Sequence, residues 1–153
     1  MDAYNSAYDR ASSPAWSSIY VPLRLVYGLV PLIAGLDKFT NVLVDWERYL
    51  PAWFAAMLPF SPTTFMMIVG VIEIIAGLAV LTILPRLGAY VVMAWLIMIA
   101  IVVTTGGFLD IAVRDLAMAV GAYTLGQVAG MRGEQWVPGV VGSHAAARHA
   151  PAH

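Results

Sequence analysis

Long unbroken apolar runs, rather than alternation, organise this chain. Four stretches carry them: residues 21–39, 65–84, 87–103 and 111–130. About 20 mostly apolar residues in a helix cross the hydrocarbon core of a bilayer. Lipid offers backbone groups no hydrogen bonds, so a spanning segment must be helical or belong to a closed barrel. Strand-like alternation is absent, and the predicted fold is an all-α integral membrane protein, a four-transmembrane-helix bundle. The tight turn at Pro85-Arg86 makes spans two and three an antiparallel hairpin. Residues 104–110 form a short Gly-bearing loop into span four. Residues 40–64 make a longer connection, in which segment 45–59 mixes Trp46, Tyr49, Trp53 and Phe54 with Asp45, Glu47 and Arg48. Aromatic rings favour headgroup depth, so this segment reads as an interfacial helix or re-entrant flap between helices 1 and 2, interrupted at Pro51. A loop that merely carries anchoring tryptophans is the plainer alternative. Residues 1–20 are a polar N-terminal segment without the pattern of a signal peptide, and residues 131–153 read as a flexible tail.

Composition sharpens this picture. The chain is 61% apolar and 11% charged over 153 residues, whereas roughly a quarter of a soluble domain is charged. A domain this small cannot hide that much apolar surface from water, so the lipid bilayer is the expected surrounding. A net charge of −1 gives no reason to expect nucleic acid. Cysteine is absent, which excludes disulfides, thiolate metal sites and iron–sulfur ligation. His144, His149 and His153 all lie beyond the spans, so no haem ligand and no metal site is expected within them. Lysine and arginine favour the side that holds both termini, through Arg10, Arg24, Arg86, Arg132 and Arg148 against Lys38, Arg48 and Arg114. That bias predicts a multi-pass protein of a bacterial-type cytoplasmic (inner) membrane with both termini cytoplasmic.

A charge at a helix centre costs about 2.5–3.5 kcal/mol on insertion scales, and several charges here need an account. Glu73 lies near the middle of span two with Gly70 and Gly77 on its face. Small residues mark the packing face of a membrane helix, so Glu73 is expected to point into the bundle, protonated or paired. Arg114 is the favoured partner and Arg24 the second. A tie between helices is the bland reading; a proton-handling or ligand-binding carboxyl is the functional one. In span one, Arg24, Gly28, Pro31, Gly35 and Lys38 form a single stripe. Arg24 is close enough to the end to snorkel, and Asp37 and Lys38 read most simply as interfacial. In span four, Asp110 and Arg114 are spaced for a helical ion pair, and Asp115 follows. A polar funnel from Asp37, Lys38, Asp110, Arg114 and Asp115 down to Glu73 is expected, lined by Tyr27, Trp95 and Tyr123, unless these rings simply pack.

The ordered set LRLVYGLVPLIAGLDKF, GVIEIIAGLAVL, the Pro85-Arg86 turn and GGFLDIAVRDLAMAVGA resembles the DoxX family of small four-helix membrane proteins, over about residues 21–130. Some members are subunits of a thiosulfate:quinone oxidoreductase, and others are linked to oxidative-stress and sulfur-metabolism partners. The resemblance implies a membrane subunit of a quinone-linked redox complex, with partner subunits or a homo-oligomer and quinone as its cofactor. Arg24, Glu73, Arg114 and Asp115 match the family's polar positions. On this basis Glu73, Arg114 and Asp115 are the expected catalytic residues, and Arg24, Lys38, Tyr27 and Tyr123 the expected quinone pocket. Lacking cysteine and a metal site, the chain would leave sulfur chemistry to a partner. Two other readings stay open: a noncatalytic anchor or assembly subunit, which the small-residue faces suit, and a small transporter.

Overall fold

The computed structural model describes residues 14–136. All regular structure among them is helical. Helix α1 covers Pro14–Asp37. A 3-10 turn at Trp46–Tyr49 and a short helix α2 at Ala52–Met57 follow, separated by Leu50 and Pro51. Helices α3 (Pro62–Leu81), α4 (Pro85–Thr105) and α5 (Leu109–Met131) complete the chain. Segments Trp16–Asp37, Pro62–Leu81 and Pro85–Thr105 are long and apolar enough to cross a membrane. Helix α5 matches them in length, but Asp110, Arg114 and Asp115 charge its first two turns. Of the four expected spans, three therefore meet both criteria. The expected tail lies mostly in residues 137–153, outside the described residues.

Local chemistry sets the helix ends. Ser61 caps α3, its hydroxyl accepting from the Thr64 N–H at 3.1 Å, and Pro62 occupies the first turn, where no N–H is needed. Helices α4 and α5 both close in Schellman motifs. At α4, Phe108 N–H donates to the Val103 carbonyl and Gly107 N–H to Thr104. At α5, Glu134 N–H donates to Ala129 and Gly133 N–H to Gly130. Gly107 and Gly133 stand at φ 83° and 79°, where a side chain is strained.

The bundle consists of two tight antiparallel pairs, α1 with α3 and α4 with α5, joined by the α3–α4 hairpin. Glycine sets the first pair. A Cβ on Gly35 would fall 2.6 Å from the Gly70 carbonyl oxygen, one on Gly70 2.7 Å from the Gly35 oxygen, and one on Gly77 2.5 Å from the Gly28 oxygen. Gly28 thus lies level with Gly77 and Gly35 with Gly70, which fixes the register of the whole pair. In that register α1 stops at Asp37 roughly 9 Å before the level where α3 begins, at 1.5 Å per residue. The 3-10 turn fills part of the space and packs on α3. Tyr49 of that turn meets Phe108 edge-on, their centroids 5.2 Å apart. The outward faces of α1 and α3 are apolar, with Leu25, Leu29, Ile33, Ile68 and Ile75 exposed, as suits lipid.

Substituting Gly70 by alanine is expected to lower the melting temperature more than Gly28→Ala. The Gly70 Cβ meets a backbone oxygen, while the Gly28 Cβ meets only the movable Leu81 side chain. Overpacking of the first kind costs about 1–3 kcal/mol. Thermal unfolding of the two purified variants in the same detergent measures the difference.

Candidate buried ion-pair site

The register of α1 on α3 creates the site. Lys38 follows the last residue of α1, while Glu73 lies midway along α3. Helical side chains lean toward their own N-terminus. In an antiparallel pair Lys38 and Glu73 therefore lean toward one another. Lys38 Nζ and Glu73 Oε2 meet at 2.6 Å, and their side chains keep only 4% and 9% of their exposure. Trp95 of α4 donates from Nε1 to the other carboxylate oxygen, Oε1, at 3.4 Å. From α5 comes Asp115, 3% exposed, within electrostatic range of Lys38. Asp115 accepts from Arg114 Nε at 3.0 Å, and the Arg114 side chain is 58% exposed. The buried Lys38–Glu73 pair thus has a second buried carboxylate in its field, Asp115, which is tied to a guanidinium that reaches the surface.

Asp37 builds the roof. Its Oδ1 accepts from the N–H groups of Val42 and Leu43 at 2.9 and 3.0 Å and from the Thr40 hydroxyl at 3.2 Å. Its Oδ2 accepts from Val44 N–H at 3.2 Å and from Trp46 Nε1 at 2.8 Å. Backbone that leaves a helix must find partners for its donors, and a carboxylate serves several at once. Asn41, at φ 49°, makes the reversal inside this cradle. Held this way, the Trp46 ring lies 3.7 Å from Lys38 Nζ, a cation–π contact in a desolvated setting.

Several expectations need correction. Glu73 faces inward, but its partner is Lys38, not Arg114 or Arg24. Lys38 does not lie open at the helix end: the glycine register sets it inside the bundle, 5% exposed, against Glu73. Arg114 pairs with its neighbour Asp115 rather than with Asp110. Arg24 is taken up elsewhere: Nε donates to the Val80 carbonyl at 3.0 Å, and Nη2 to those of Leu81 and Thr82 at 2.9 and 2.8 Å. It caps the C-terminal end of α3, where a cation suits the helix dipole, roughly 20 Å along α1 from Lys38. Tyr27 is buried in the core near that end, its ring filling the space beside Gly121. Tyr123 lies on the outer face, 48% exposed, against Tyr90. The funnel therefore reduces to Lys38, Glu73, Trp95, Asp115 and Arg114, under Trp46. Asp37 was expected at the interface or the funnel mouth and Trp46 in the interfacial segment, but neither was expected to cover the ion pair. One signal was there: an acidic residue in the last turn of a helix opposes the dipole, so Asp37 needed another reason for its place.

The sequence matches the DoxX family model over residues 19–105 of 153. No curated protein and no solved structure matches it significantly.

Removing one member of the ion pair strands the other. Lys38→Met and Glu73→Leu are each expected to destabilise by about 3–5 kcal/mol, while the double variant recovers most of the loss. A double-mutant cycle in thermal or chemical unfolding measures the coupling. Additive losses would mean that the two residues act independently.

Proposed function

Because the chain belongs to the DoxX family, we propose that it is the membrane subunit of a quinone-linked redox complex, and that the Lys38–Glu73–Asp115 cluster handles the protons of quinone chemistry. The observation that carries this reading is the ion pair itself. A buried pair stabilises a fold poorly compared with well-packed apolar residues, and in a lipid-facing bundle its charges are dearer still. Titratable groups gathered in such a place are candidates for function. Reduction of a quinone to its hydroquinone takes two electrons and two protons. The electrons come from a partner subunit, since this chain offers no cysteine and carries histidine only beyond the apolar segments. The protons suit this chain: Glu73 and Lys38 exchange one across a short contact, and Asp115 with the exposed Arg114 links the pair to the surface. Trp46 and Trp95 supply flat apolar walls beside the polar groups. The anchor reading loses its main motive, because the glycine faces of α1, α3 and α5 are occupied by packing within the chain.

The same reading takes α5 as a fourth span and segment 45–59 as an interfacial plug. Helix α5 runs 23 residues, packs along α4, and turns Val113, Leu116 and Val120 outward. Arginine bias then places both termini in the cytoplasm and the buried cluster toward the opposite face.

A short-chain ubiquinone analogue titrated into the purified protein is expected to quench tryptophan fluorescence saturably, through Trp46 and Trp95. The Lys38→Met/Glu73→Leu double variant, folded by its melting temperature, should require at least about tenfold more quinone, the loss of one charge-assisted hydrogen bond. Unchanged quenching in that variant would remove the cluster from quinone binding.

Reporter fusions after residue 153 are expected to be active only in the cytoplasm-sensing form. An active periplasmic reporter there would leave α5 outside the membrane or reverse the topology.

A further inference from the structure

A second group of charges lies at the opposite end of the bundle, where α1 begins, α3 and α5 end and α4 starts. Arg24, Arg86 and Arg132 gather there around Tyr20, Trp136 and Glu134. Tyr20 donates its hydroxyl to the Glu134 carboxylate and accepts from Arg24 Nη1 at 3.3 Å. The Arg132 guanidinium carbon lies 4.7 Å from the Tyr20 ring centroid, and Nη1 donates to the Ser17 hydroxyl at 3.1 Å. Three cations therefore share this end with one carboxylate, and none of the three forms an ion pair with a carboxylate among the described residues.

Two of these arginines have a structural reason to be there. Arg24 caps the C-terminal end of α3, and Arg132 stands at the C-terminal end of α5, both negative ends of a helix dipole. Arg86 has none. It stands in the first turn of α4, the positive end of the dipole, where a cation is disfavoured. Its Nε is buried with no hydrogen-bond partner. Its one hydrogen bond among the described residues is a long one, from Nη1 to the Glu134 carbonyl at 3.5 Å. The guanidinium carbon lies 4.1 Å from the Trp136 ring centroid. A guanidinium has five donors in a planar fork that matches tetrahedral oxyanions, and here most of them go unused. Helix N-terminus, orphaned fork and neighbouring Arg132 all ask for the same thing, an anion with several oxygens.

We infer that this end of the bundle binds the phosphate of an anionic phospholipid, with Arg86 and Arg132 as the headgroup contacts. Lipid is favoured over a soluble anion because the cluster opens beside exposed apolar side chains. Ile83 is 67% exposed, Met131 48% and Trp136 48%. They offer an acyl chain a surface directly next to the charges. Basic pockets between membrane helices bind lipid headgroups in this manner. The inference is independent of the quinone reading, since it uses none of the residues of the ion-pair site.

The test uses the full chain purified in neutral detergent and titrated with dioleoyl phosphatidylglycerol or dioleoyl phosphatidylcholine. Retained lipid is read by native mass spectrometry. Phosphatidylglycerol should be retained about thirtyfold more strongly, from about 1 kcal/mol for each of the two arginines. Arg86→Gln with Arg132→Gln should erase the preference. Arg48→Gln, on the loop at the other end, should keep it. Arg86→Lys retains the charge but loses the fork, and should keep only part of the preference, which separates recognition from misfolding. Equal retention of the two lipids would overturn the proposal, as would a preference that survives in the double variant. Inorganic phosphate at millimolar concentration that displaces phosphatidylglycerol would also overturn it, assigning the arginines to a soluble anion.

Discussion

Helix α1 gives up its hydrogen-bond ladder before its neighbour α3 has begun. In a lipid-facing bundle, irregular backbone is tolerated only where protein satisfies its polar groups. Asp37 meets that constraint with one carboxylate, which accepts from three backbone N–H groups, a hydroxyl and an indole. The rest of the site follows from it. The chain turns back over the bundle, Trp46 is fixed above Lys38, and the 3-10 turn closes the end against α3 and Phe108.

Glycine supplies the other half of the arrangement. Because Gly28, Gly35, Gly70 and Gly77 bring two backbones into contact, the register of α1 and α3 cannot slide. That register decides which polar groups meet. It draws Lys38 into reach of Glu73 and sets Arg24 against the last carbonyls of α3. One packing contact thus positions the buried ion pair and a helix cap about 20 Å apart. It also explains how Lys38, Glu73 and Arg24, charges that lipid would reject, are accommodated, by an opposite charge or a helix end.

The two ends of the bundle have different electrostatic characters. One holds the buried Lys38–Glu73 ion pair with buried Asp115 in its field. The other holds three guanidiniums and one carboxylate, with an orphaned donor at its centre. Beside the arginine end lies a core cluster that includes Val80, Ala89, Val92, Ala122 and Leu125. The two charged groups share no residue, so the buried ion pair and the arginine cluster can be altered separately.

Periodicity and composition alone determined the helical class, the tight hairpin at Pro85, the break at Pro51 and the inward face of Glu73, because these depend on local runs and on the cost of charge in lipid. The family resemblance was likewise legible in the ordered motifs of the first three spans, which lie within the matched residues 19–105. Pairing was not. Sequence places Lys38 at the end of an apolar run, and end position suggests the interface. Only the contact of Gly35 with Gly70 shifts that end inward, and it depends on how two backbones meet. In the same way Asp37 looked like a surface charge until the loop folded back onto it, and Tyr123 looked like a lining residue until the rotation of α5 turned it outward. The sequence specified which charges had to be buried or capped; the axial offset and rotation of the packed helices chose their partners, since side-chain reach is only a few ångströms and one turn of misplacement exchanges one partner for another.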